Sequence, residues 1–305
     1  MIQVEGLTKL YRRERGLRSF NLVVAAGESV GLVGPNGAGK TTLMKILATL
    51  LRPDSGRARI NGLDVVPQKE AIRRVVGYMP DVPGLYQDMK VREFLLFFAA
   101  AYHLPAKKKV EIVDEVLRWS GLEGSAENFV EQLSLGWKQR LVLAKTLLHS
   151  PALLLLDEPA TGLDPLARLE LRRQLKELNQ RGTTMLISSH ILTDLEDICS
   201  RIVFIANGSN VSQNGEAADG APRIEDLVYL IEILPAASAR EIAAGLPGLQ
   251  LLQASENSLR VSFSGGKEQV AALVSALAAG GVGVTRVQPV AGLESQYQRL
   301  FGAKS

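Results

Sequence analysis

The chain has 305 residues, of which 46% are hydrophobic and 22% charged, values typical of a folded globular protein rather than a disordered or fibrous one. Its single cysteine and three scattered histidines exclude an internal disulfide framework and argue against a structural metal site. The longest purely apolar run, Phe94 to Tyr102, has nine residues, whereas a membrane-spanning helix needs roughly 20. With no signal-like segment after Met1 and a net charge of only +3, we expect a cytosolic chain without a nucleic-acid partner.

The first part of the chain predicts a strand, a loop and a helix in succession. Glu28 to Val33 is a short apolar run that ends in a glycine-rich turn, and apolar residues then recur at helical spacing from Leu43 to Leu50. Asn61-Gly62 lies between two short strand-like runs, which is a strong hairpin signal. We therefore predict an antiparallel β flap near the front of the domain.

A helical segment is inserted between this region and a second set of strands. Apolar residues recur at helical spacing between residues 88 and 150. Residues 151–156 then form a buried strand, and residues 165–181 a helix with Asp164 as its cap. Because strands and helices alternate, we predict an α/β fold with a largely parallel sheet and a helical subdomain at about residues 85–150.

The composition changes near residue 220. Residues 221–305 carry 7 basic and 7 acidic side chains, against 28 and 25 in residues 1–220. The junction, residues 208–222, is rich in turn formers and suits a hairpin that runs into a linker. We predict two domains, 1–220 and 221–305.

The second domain is predicted to be a small α+β module with no cluster of catalytic residue types. Ser238 and Glu241 have the spacing of a capping box, and apolar residues alternate from Leu259 to Phe263 as in a strand. Residues 267–279 indicate a helix, and residues 282–287 another strand.

The strongest chemical signal is a phosphate loop. Gly34 and Gly39 are separated by four residues and followed by Lys40 and Thr41, a pattern in which backbone N–H groups surround phosphates. Lys40 would neutralise the β and γ phosphates, and the Thr41 hydroxyl would bind Mg²⁺ at the start of a helix whose dipole favours anions. The predicted nucleotide contacts are Gly34, Pro35, Asn36, Gly37, Ala38, Gly39, Lys40, Thr41 and Thr42.

Two acidic residues supply the other half of a nucleotide site. Asp157 and Glu158 follow the apolar run Leu153 to Leu156. A carboxylate at the end of a core strand beside the phosphate loop can hold Mg²⁺ through water, and we assign this role to Asp157. Glu158 is in position to polarise the attacking water as the general base. Such a pair is usually a strand end that meets solvent, but the phosphate loop favours catalysis here.

Three further segments carry a family resemblance over residues 1–218. They are Leu133-Ser-Leu-Gly-Trp-Lys-Gln-Arg140, Ala160-Thr-Gly-Leu-Asp164 and Ile187-Ser-Ser-His190. They are similar to the signature, the loop after the second acid and the histidine loop of the ATP-binding subunit of an ABC transporter. The segment from Gly292 to Gly302 resembles the end of single-domain ATPases of prokaryotic exporters.

The resemblance assigns roles that the residue types alone leave open. It implies that His190 contacts the γ phosphate, although a lone histidine is more often a satisfied core residue. It implies that Tyr11 stacks on adenine, although without the family Tyr11 is equally well a surface tyrosine. It also implies that two copies associate head to tail, with Ser134 and Gly136 of one copy against the ATP held by the other.

The chain departs from the family pattern at two positions. Asp81 stands where the family usually has glutamine, so an intervening water would have to connect its shorter, charged side chain to Mg²⁺. We favour the alternative that this loop acts as a mechanical link, because Thr41 and Asp157 already supply contacts to the ion. Leu135 replaces a glycine of the signature, which costs energy only if that residue needs a positive φ.

The function implied by the resemblance is ATP hydrolysis that drives a membrane protein. A homodimer or heterodimer would close on ATP and Mg²⁺, and a separate transmembrane permease, docked near residues 79–98, would use that motion for export. The chain would then lie at the inner face of the cell membrane. The alternative is a soluble ABC-type ATPase that acts on ribosomes or DNA, but the tandem cassettes and long coiled coil usual in such proteins are missing from this sequence.

Overall fold

The computed structural model describes residues 1–11, 15–82, 84–190, 194–195, 198–211, 228–234, 238–246, 249–263 and 266–291. The chain divides into two compact units, Met1–Gly220 and Ala221–Ser305. Within the described ranges, no helix is both long enough and apolar enough to cross a membrane. Residues 212–222 of the predicted linker and the segment 292–302 lie outside the described residues.

An antiparallel sheet begins the first unit. Its strand order is β2-β1-β4-β5, with β1 at Ile2–Leu10, β2 at Gly16–Val24, β4 at Ser55–Ile60 and β5 at Leu63–Asp64. Asn61 and Gly62 connect β4 to β5 with positive φ angles of 51° and 76°, the conformation that an Asn-Gly hairpin turn adopts. The predicted hairpin and antiparallel flap are confirmed.

A six-stranded sheet forms the centre of the same unit, in the order β10-β9-β3-β8-β7-β6. The strands are β3 (Ser29–Val33), β6 (Val76–Met79), β7 (Leu153–Asp157), β8 (Thr184–Ser189), β9 (Arg201–Ala206) and β10 (Ser209–Asn210). All pairs are parallel except β9 with β10. The central strands β3, β7 and β8 are buried along their whole length, as expected for a parallel sheet covered on both faces.

Helices accompany the parallel sheet and also form a cluster of their own. The helices with described bounds are α1 (Lys40–Leu47), α2 (Lys69–Arg73), α3 (Val91–Ala101), α4 (Lys109–Ser120), α5 (Leu135–Leu147) and α6 (Pro165–Gln180), with short 3₁₀ turns at Glu123–Ser125 and Val130–Gln132. α3, α4 and α5 share an apolar core that contains the fully buried Phe94, Leu117 and Leu141. Asp164 caps α6 by accepting a hydrogen bond of 2.9 Å from the Ala167 N–H. The predicted α/β fold with inserted helices is confirmed.

In its described residues, the second unit consists of a four-stranded antiparallel sheet and two helices. Its elements are β11 (Val228–Ile233), α7 (Ala239–Ala244), β12 (Leu249–Ala254), β13 (Ser258–Phe263), α8 (Gly266–Ala279) and β14 (Val284–Ala291). The strand order β12-β13-β11-β14 and the βαββαβ sequence of elements are those of a ferredoxin-like fold. Its core includes Ile231, Leu259 and Leu273.

The predicted capping box at the start of α7 is wrong. Ser238 has φ −76° and ψ −15°, and its side chain makes no capping hydrogen bond. A capping serine needs an extended backbone to aim its hydroxyl at the N–H groups of the first turn. The helical backbone of Ser238 does not satisfy that requirement.

Candidate active site

The phosphate loop connects β3 to α1 at the carboxyl edge of the parallel sheet. Gly39 precedes α1 with φ 114°, a conformation that side chains other than hydrogen rarely adopt. A Cβ on Gly34 would lie 2.1 Å from the Ile205 carbonyl oxygen. Both glycines are therefore required by the backbone path itself, and the loop keeps the shape that suits a phosphate cradle.

Lys40 is held inside this loop. Its side chain is 7% exposed, and its Nζ donates hydrogen bonds to the carbonyl oxygens of Gly34, at 2.6 Å, and Pro35, at 3.5 Å. The same Nζ lies 3.6 Å from Glu158 Oε1. The ammonium group is thus positioned by two neutral carbonyl groups of the phosphate loop and by one carboxylate.

Asp157 is the last residue of β7 and is fully buried. Its Oδ1 accepts a hydrogen bond of 2.6 Å from the Ser188 hydroxyl, and the Thr41 side chain also hydrogen-bonds the carboxylate. Burial raises the pKa of Asp157, and the nearby charges of Asp81 and Glu158 act in the same direction, while the two hydroxyl hydrogen bonds oppose the shift.

The other carboxylate oxygen of Asp157 bears on metal binding. Oδ2 is buried and has no hydrogen-bond partner in the described part of the chain, which is an unfavourable state for a charged group. The described residues contain no group of three or more His, Cys, Asp or Glu side chains that could hold a metal ion. The Thr41 hydroxyl and the unpartnered Oδ2 of Asp157 are oxygen donors, and two such donors fit an ion such as Mg²⁺, which usually takes one or two protein ligands together with phosphates and water.

Glu158 and His190 are in direct contact across the sheet edge. His190 Nδ1 lies 2.6 Å from Glu158 Oε2, and the His190 backbone N–H donates to the same oxygen at 3.3 Å. The side chain of Glu158 is 12% exposed and that of His190 is 51% exposed. Glu158 therefore lies between Lys40 and His190, with one carboxylate oxygen toward each of them.

Ser188 organises both acidic residues and was not predicted as a site residue. Its hydroxyl donates to Asp157 and accepts a hydrogen bond of 3.0 Å from the Glu158 N–H, and its carbonyl oxygen accepts from the same N–H. The available signal was a pair of serines at the end of a strand that is otherwise apolar. A polar side chain in a fully buried strand needs a partner, and here the partners are the two acids.

Tyr11, Asp81 and Thr42, which were also predicted as site residues, take no part in the contacts among Lys40, Glu158 and His190. Tyr11 is 46% exposed, and its backbone N–H donates to the Arg15 carbonyl oxygen at 2.8 Å. Asp81 is exposed and acts on Asp157 only through its charge. Thr42, in the first turn of α1, is partly buried.

The signature turn forms the start of α5. Ser134 caps the helix, and Leu135 is its first residue, without the positive φ that would strain a side chain there. In the described part of the chain, no hydrogen bond or ion pair joins Ser134 or Gly136 to the phosphate loop of the same chain. The structure thus brings Lys40, Thr41, Asp157, Glu158 and His190 together, but not the signature turn.

Comparisons with known proteins identify the family of this chain. The family model described as ABC transporter matches residues 17–161. The Nod factor export ATP-binding protein I of Rhizobium sp. (strain N33) is 31% identical over 305 residues, which cover 99% of this chain and 97% of the relative. The bacitracin transport ATP-binding protein BcrA of Bacillus licheniformis is 39% identical, with coverage of 68% and 67%.

A solved structure gives the same result at the level of the fold. The dimeric structure of MJ0796, a bacterial ABC transporter cassette, superposes with a TM-score of 0.64 at 26% identity and covers 70% of this chain and 97% of that chain. The sequence relatives and the fold agree, and the chain belongs to the ABC transporter family as an ATP-binding subunit with ATPase activity.

Proposed function

We propose that this chain is the ATPase of a prokaryotic exporter, and that two copies or two related subunits close around ATP to drive a separate transmembrane permease. The relatives named for Nod factor export and for bacitracin transport support export over action on ribosomes or DNA. In this proposal residues 1–220 are the ATP-binding domain, with a helical subdomain at about 85–150, and residues 221–305 are an accessory domain.

The observation that carries the proposal is the convergence of three charged or titratable side chains beside the phosphate loop. Lys40 lies 3.6 Å from Glu158, and Glu158 lies 2.6 Å from His190. We assign Lys40 to the β and γ phosphates, because its ammonium group matches their charge. Glu158 is assigned as the general base, and His190 as the residue that holds Glu158 and contacts the γ phosphate.

Thr41 and Asp157 are assigned as the protein ligands of Mg²⁺. The buried Oδ2 of Asp157 without a hydrogen-bond partner supports this role, since a cation would compensate its charge. When bound, Mg²⁺ would offset the negative charge that develops on the phosphates. Asp81 is exposed and is assigned to the mechanical link rather than to the ion.

Dimerisation is proposed from the family resemblance of the signature turn. Among the described contacts, no hydrogen bond or ion pair joins Ser134 or Gly136 to the phosphate loop of their own chain, which is compatible with a contact to the ATP of a partner. Tyr11 is assigned to the adenine ring, on which a half-exposed aromatic side chain can stack.

The permease is proposed to dock on the loop before α3 and on that helix. Val82, Tyr86 and Phe97 are 82%, 54% and 46% exposed, and the Tyr86 and Phe97 rings pack edge to face at 5.5 Å. An exposed apolar patch of this kind suits a protein partner. The chain would then lie at the cytoplasmic face of the membrane, bound to its permease. A neighbouring reading frame for a multi-helix membrane protein would support this assignment.

The decisive experiment is Glu158→Gln in the purified chain. We expect turnover to fall by about 100-fold or more, because a general base contributes roughly 10²–10⁴-fold, while ATP affinity remains close to that of the wild type. Size-exclusion chromatography with light scattering should show a dimer with ATP and a monomer without it. Glu170→Gln, on the exposed face of α6 where Glu170 pairs with Arg173, is the matched control and should hydrolyse ATP normally. Near wild-type turnover of Glu158→Gln would mean that another residue is the base.

A further inference from the structure

Tyr78, in the middle of β6, carries a buried hydroxyl group without a hydrogen-bond partner in the described part of the chain. Burying a hydroxyl group in this state is unfavourable, and a phenylalanine would fill the same space without that cost. Such an orphaned group calls for an explanation, and a bound water molecule or ion can supply the missing partner.

The pairing of β6 with β7 directs Tyr78 toward Asp157. Tyr78 is paired with Leu155 in parallel register, so the two side chains lie on the same face of the sheet, and Asp157, two residues further along β7, shares that face. Gly77, the residue before Tyr78, lies against the Thr146 side chain of α5. The tyrosine therefore projects away from α5, on the face of the sheet that carries the acid.

The charges of the nucleotide site act on this hydroxyl group. Burial raises the pKa of Tyr78, and the negative charges of Asp157 and Asp81 raise it further. The phenol therefore keeps its proton at neutral pH. Oδ2 of Asp157 is also buried and also lacks a hydrogen-bond partner among the described residues. Two orphaned oxygen atoms, one from each strand, thus belong to one electrostatic cluster at the carboxyl edge of the sheet.

We propose that Tyr78 is a positioning residue of the Mg²⁺ site, and that its hydroxyl oxygen accepts a hydrogen bond from a water molecule bound to the ion. Such a water molecule has two O–H groups to donate. Asp157 Oδ2 accepts one of them, as expected for a carboxylate that holds the ion through water, and the Tyr78 hydroxyl accepts the other. The inference rests on the proposed function, in which Asp157 holds the ion.

The test is the affinity of the full-length chain for a metal ion when a non-hydrolysable ATP analogue is bound. Mn²⁺ is the probe, because it takes the same oxygen ligands as Mg²⁺ and its binding is followed by electron paramagnetic resonance. We expect Tyr78→Phe to bind Mn²⁺ about tenfold more weakly, the lower end of the effect of residues that support a metal ligand. Tyr102→Phe is the matched control. It removes a hydroxyl from a partly buried tyrosine that stacks on His149, and it should bind Mn²⁺ normally.

Thermal unfolding separates a positioning role from a structural one. Without nucleotide and metal, Tyr78→Phe should unfold at the wild-type temperature or above it, because the hydroxyl has no partner in the described part of the chain. With the analogue and Mn²⁺, the unfolding temperature of the wild type should rise more than that of the variant, because tighter binding to the folded chain stabilises it more. Circular dichroism checks the fold, and Tyr78→Leu is a second variant without the hydroxyl.

A double-mutant cycle tests whether the two side chains act on the same water molecule. In the Asp157→Asn background, Tyr78→Phe should weaken Mn²⁺ binding by clearly less than in the wild type, because the shared interaction is already disturbed. Full additivity of the two substitutions would mean that the hydroxyl acts elsewhere, and the inference would be wrong.

The outcomes also distinguish this inference from the proposed function. If Asp157→Asn leaves Mn²⁺ binding unchanged, the assignment of the ion to Asp157 is wrong, and the role of Tyr78 is wrong with it. If Asp157→Asn weakens Mn²⁺ binding while Tyr78→Phe does not, or if Tyr102→Phe weakens it equally, only the role of Tyr78 is wrong. A Tyr78→Phe variant that binds Mn²⁺ normally but unfolds at a lower temperature would show that the hydroxyl is structural.

Discussion

The two compact units differ in the kind of residue that they bury. The first unit buries Lys40, Asp157, Ser188 and Asp194, whereas in the described part of the second unit the buried residues are all apolar. Burying a polar or charged group is unfavourable unless a partner compensates it. The first unit therefore gives up some stability for a charged site, whereas the described part of the second unit buries no charged residue, although Gln269 Oε1 is a buried polar atom without a partner there.

The compensation inside the first unit is itself uneven. Asp157 and Asp194 each have one buried oxygen, Oδ2, without a hydrogen-bond partner among the described residues. Oδ1 of Asp194 is paired with the charged Arg172 side chain at 2.6 Å, whereas Oδ1 of Asp157 accepts a hydrogen bond from the neutral Ser188 hydroxyl. The two buried acids therefore differ in the charge of their partner, and the following experiments test whether Asp157 depends on a ligand.

Loss of Lys40 should have the largest effect. We expect Lys40→Ala to weaken ATP binding by about 100-fold or more, equivalent to about 2.8 kcal/mol, because an ammonium that faces the phosphates is removed. Isothermal titration calorimetry measures the change. Lys45→Ala, on the exposed side of α1, is the control and should bind normally. Unchanged affinity of Lys40→Ala would refute the assigned role.

Asp157→Asn should change stability and activity in opposite directions. Burial raises the pKa of Asp157, so the folded chain favours the neutral carboxyl group. Ionisation of this group therefore lowers the free energy of unfolding as the pH rises above its ordinary pKa of 3.8. Without nucleotide, we expect the variant to unfold at a higher temperature than the wild type. Its free energy of unfolding should be higher by roughly 1 kcal/mol.

The same variant should hydrolyse ATP at least about tenfold more slowly and need more Mg²⁺, because one ligand has lost its charge. Asp88→Asn, at an exposed position, is the control for both measurements. A less stable Asp157→Asn would show that the carboxylate is structural, like Asp194.

Asp81→Gln should have a small effect. Its side chain is exposed, and we expect basal ATPase to remain within about threefold of the wild type, less than about 0.7 kcal/mol of transition-state free energy. A Mg²⁺ titration provides the sharper measurement. A curve shifted clearly to higher Mg²⁺ would make Asp81 a contributor to ion binding, in contrast to our assignment.

Removal of the second unit should have the smallest effect on the nucleotide. All predicted ATP contacts lie between Tyr11 and His190, so residues 1–220 should bind ATP within about twofold of the full chain, or about 0.4 kcal/mol. If the shortened chain is folded by circular dichroism but does not bind ATP, the second unit takes part in the site.

Local sequence patterns predicted the helices and strands and the charged residues of the site. Asn61-Gly62 predicted its hairpin because few residue pairs accept two positive φ angles. The apolar run before Asp157 predicted a buried strand. The prediction succeeded because a central strand of a parallel sheet is covered on both faces and is therefore apolar along its length. Ser238 and Glu241 failed as a capping box because a sequence spacing does not fix the backbone angles of the first residue.

Such local patterns could not predict the contacts between segments that are distant in the sequence. Ser188 lies 31 residues from Asp157, and only the pairing of β7 with β8 brings its hydroxyl to the acid. The position of Tyr78 on the same face as Asp157 likewise depends on the parallel register of β6 with β7. No local spacing encodes these neighbours, although they decide how the site is held.

The backbone of Glu158 has a consequence for the evolution of this scaffold. Its φ is 52°, and holding a glutamate in that region costs of order 1–3 kcal/mol. Glycine and asparagine relax this strain, and both remove the base. A gene copy released from selection for turnover would gain stability as it loses catalysis, so cassettes that bind ATP without hydrolysing it should arise readily from this fold.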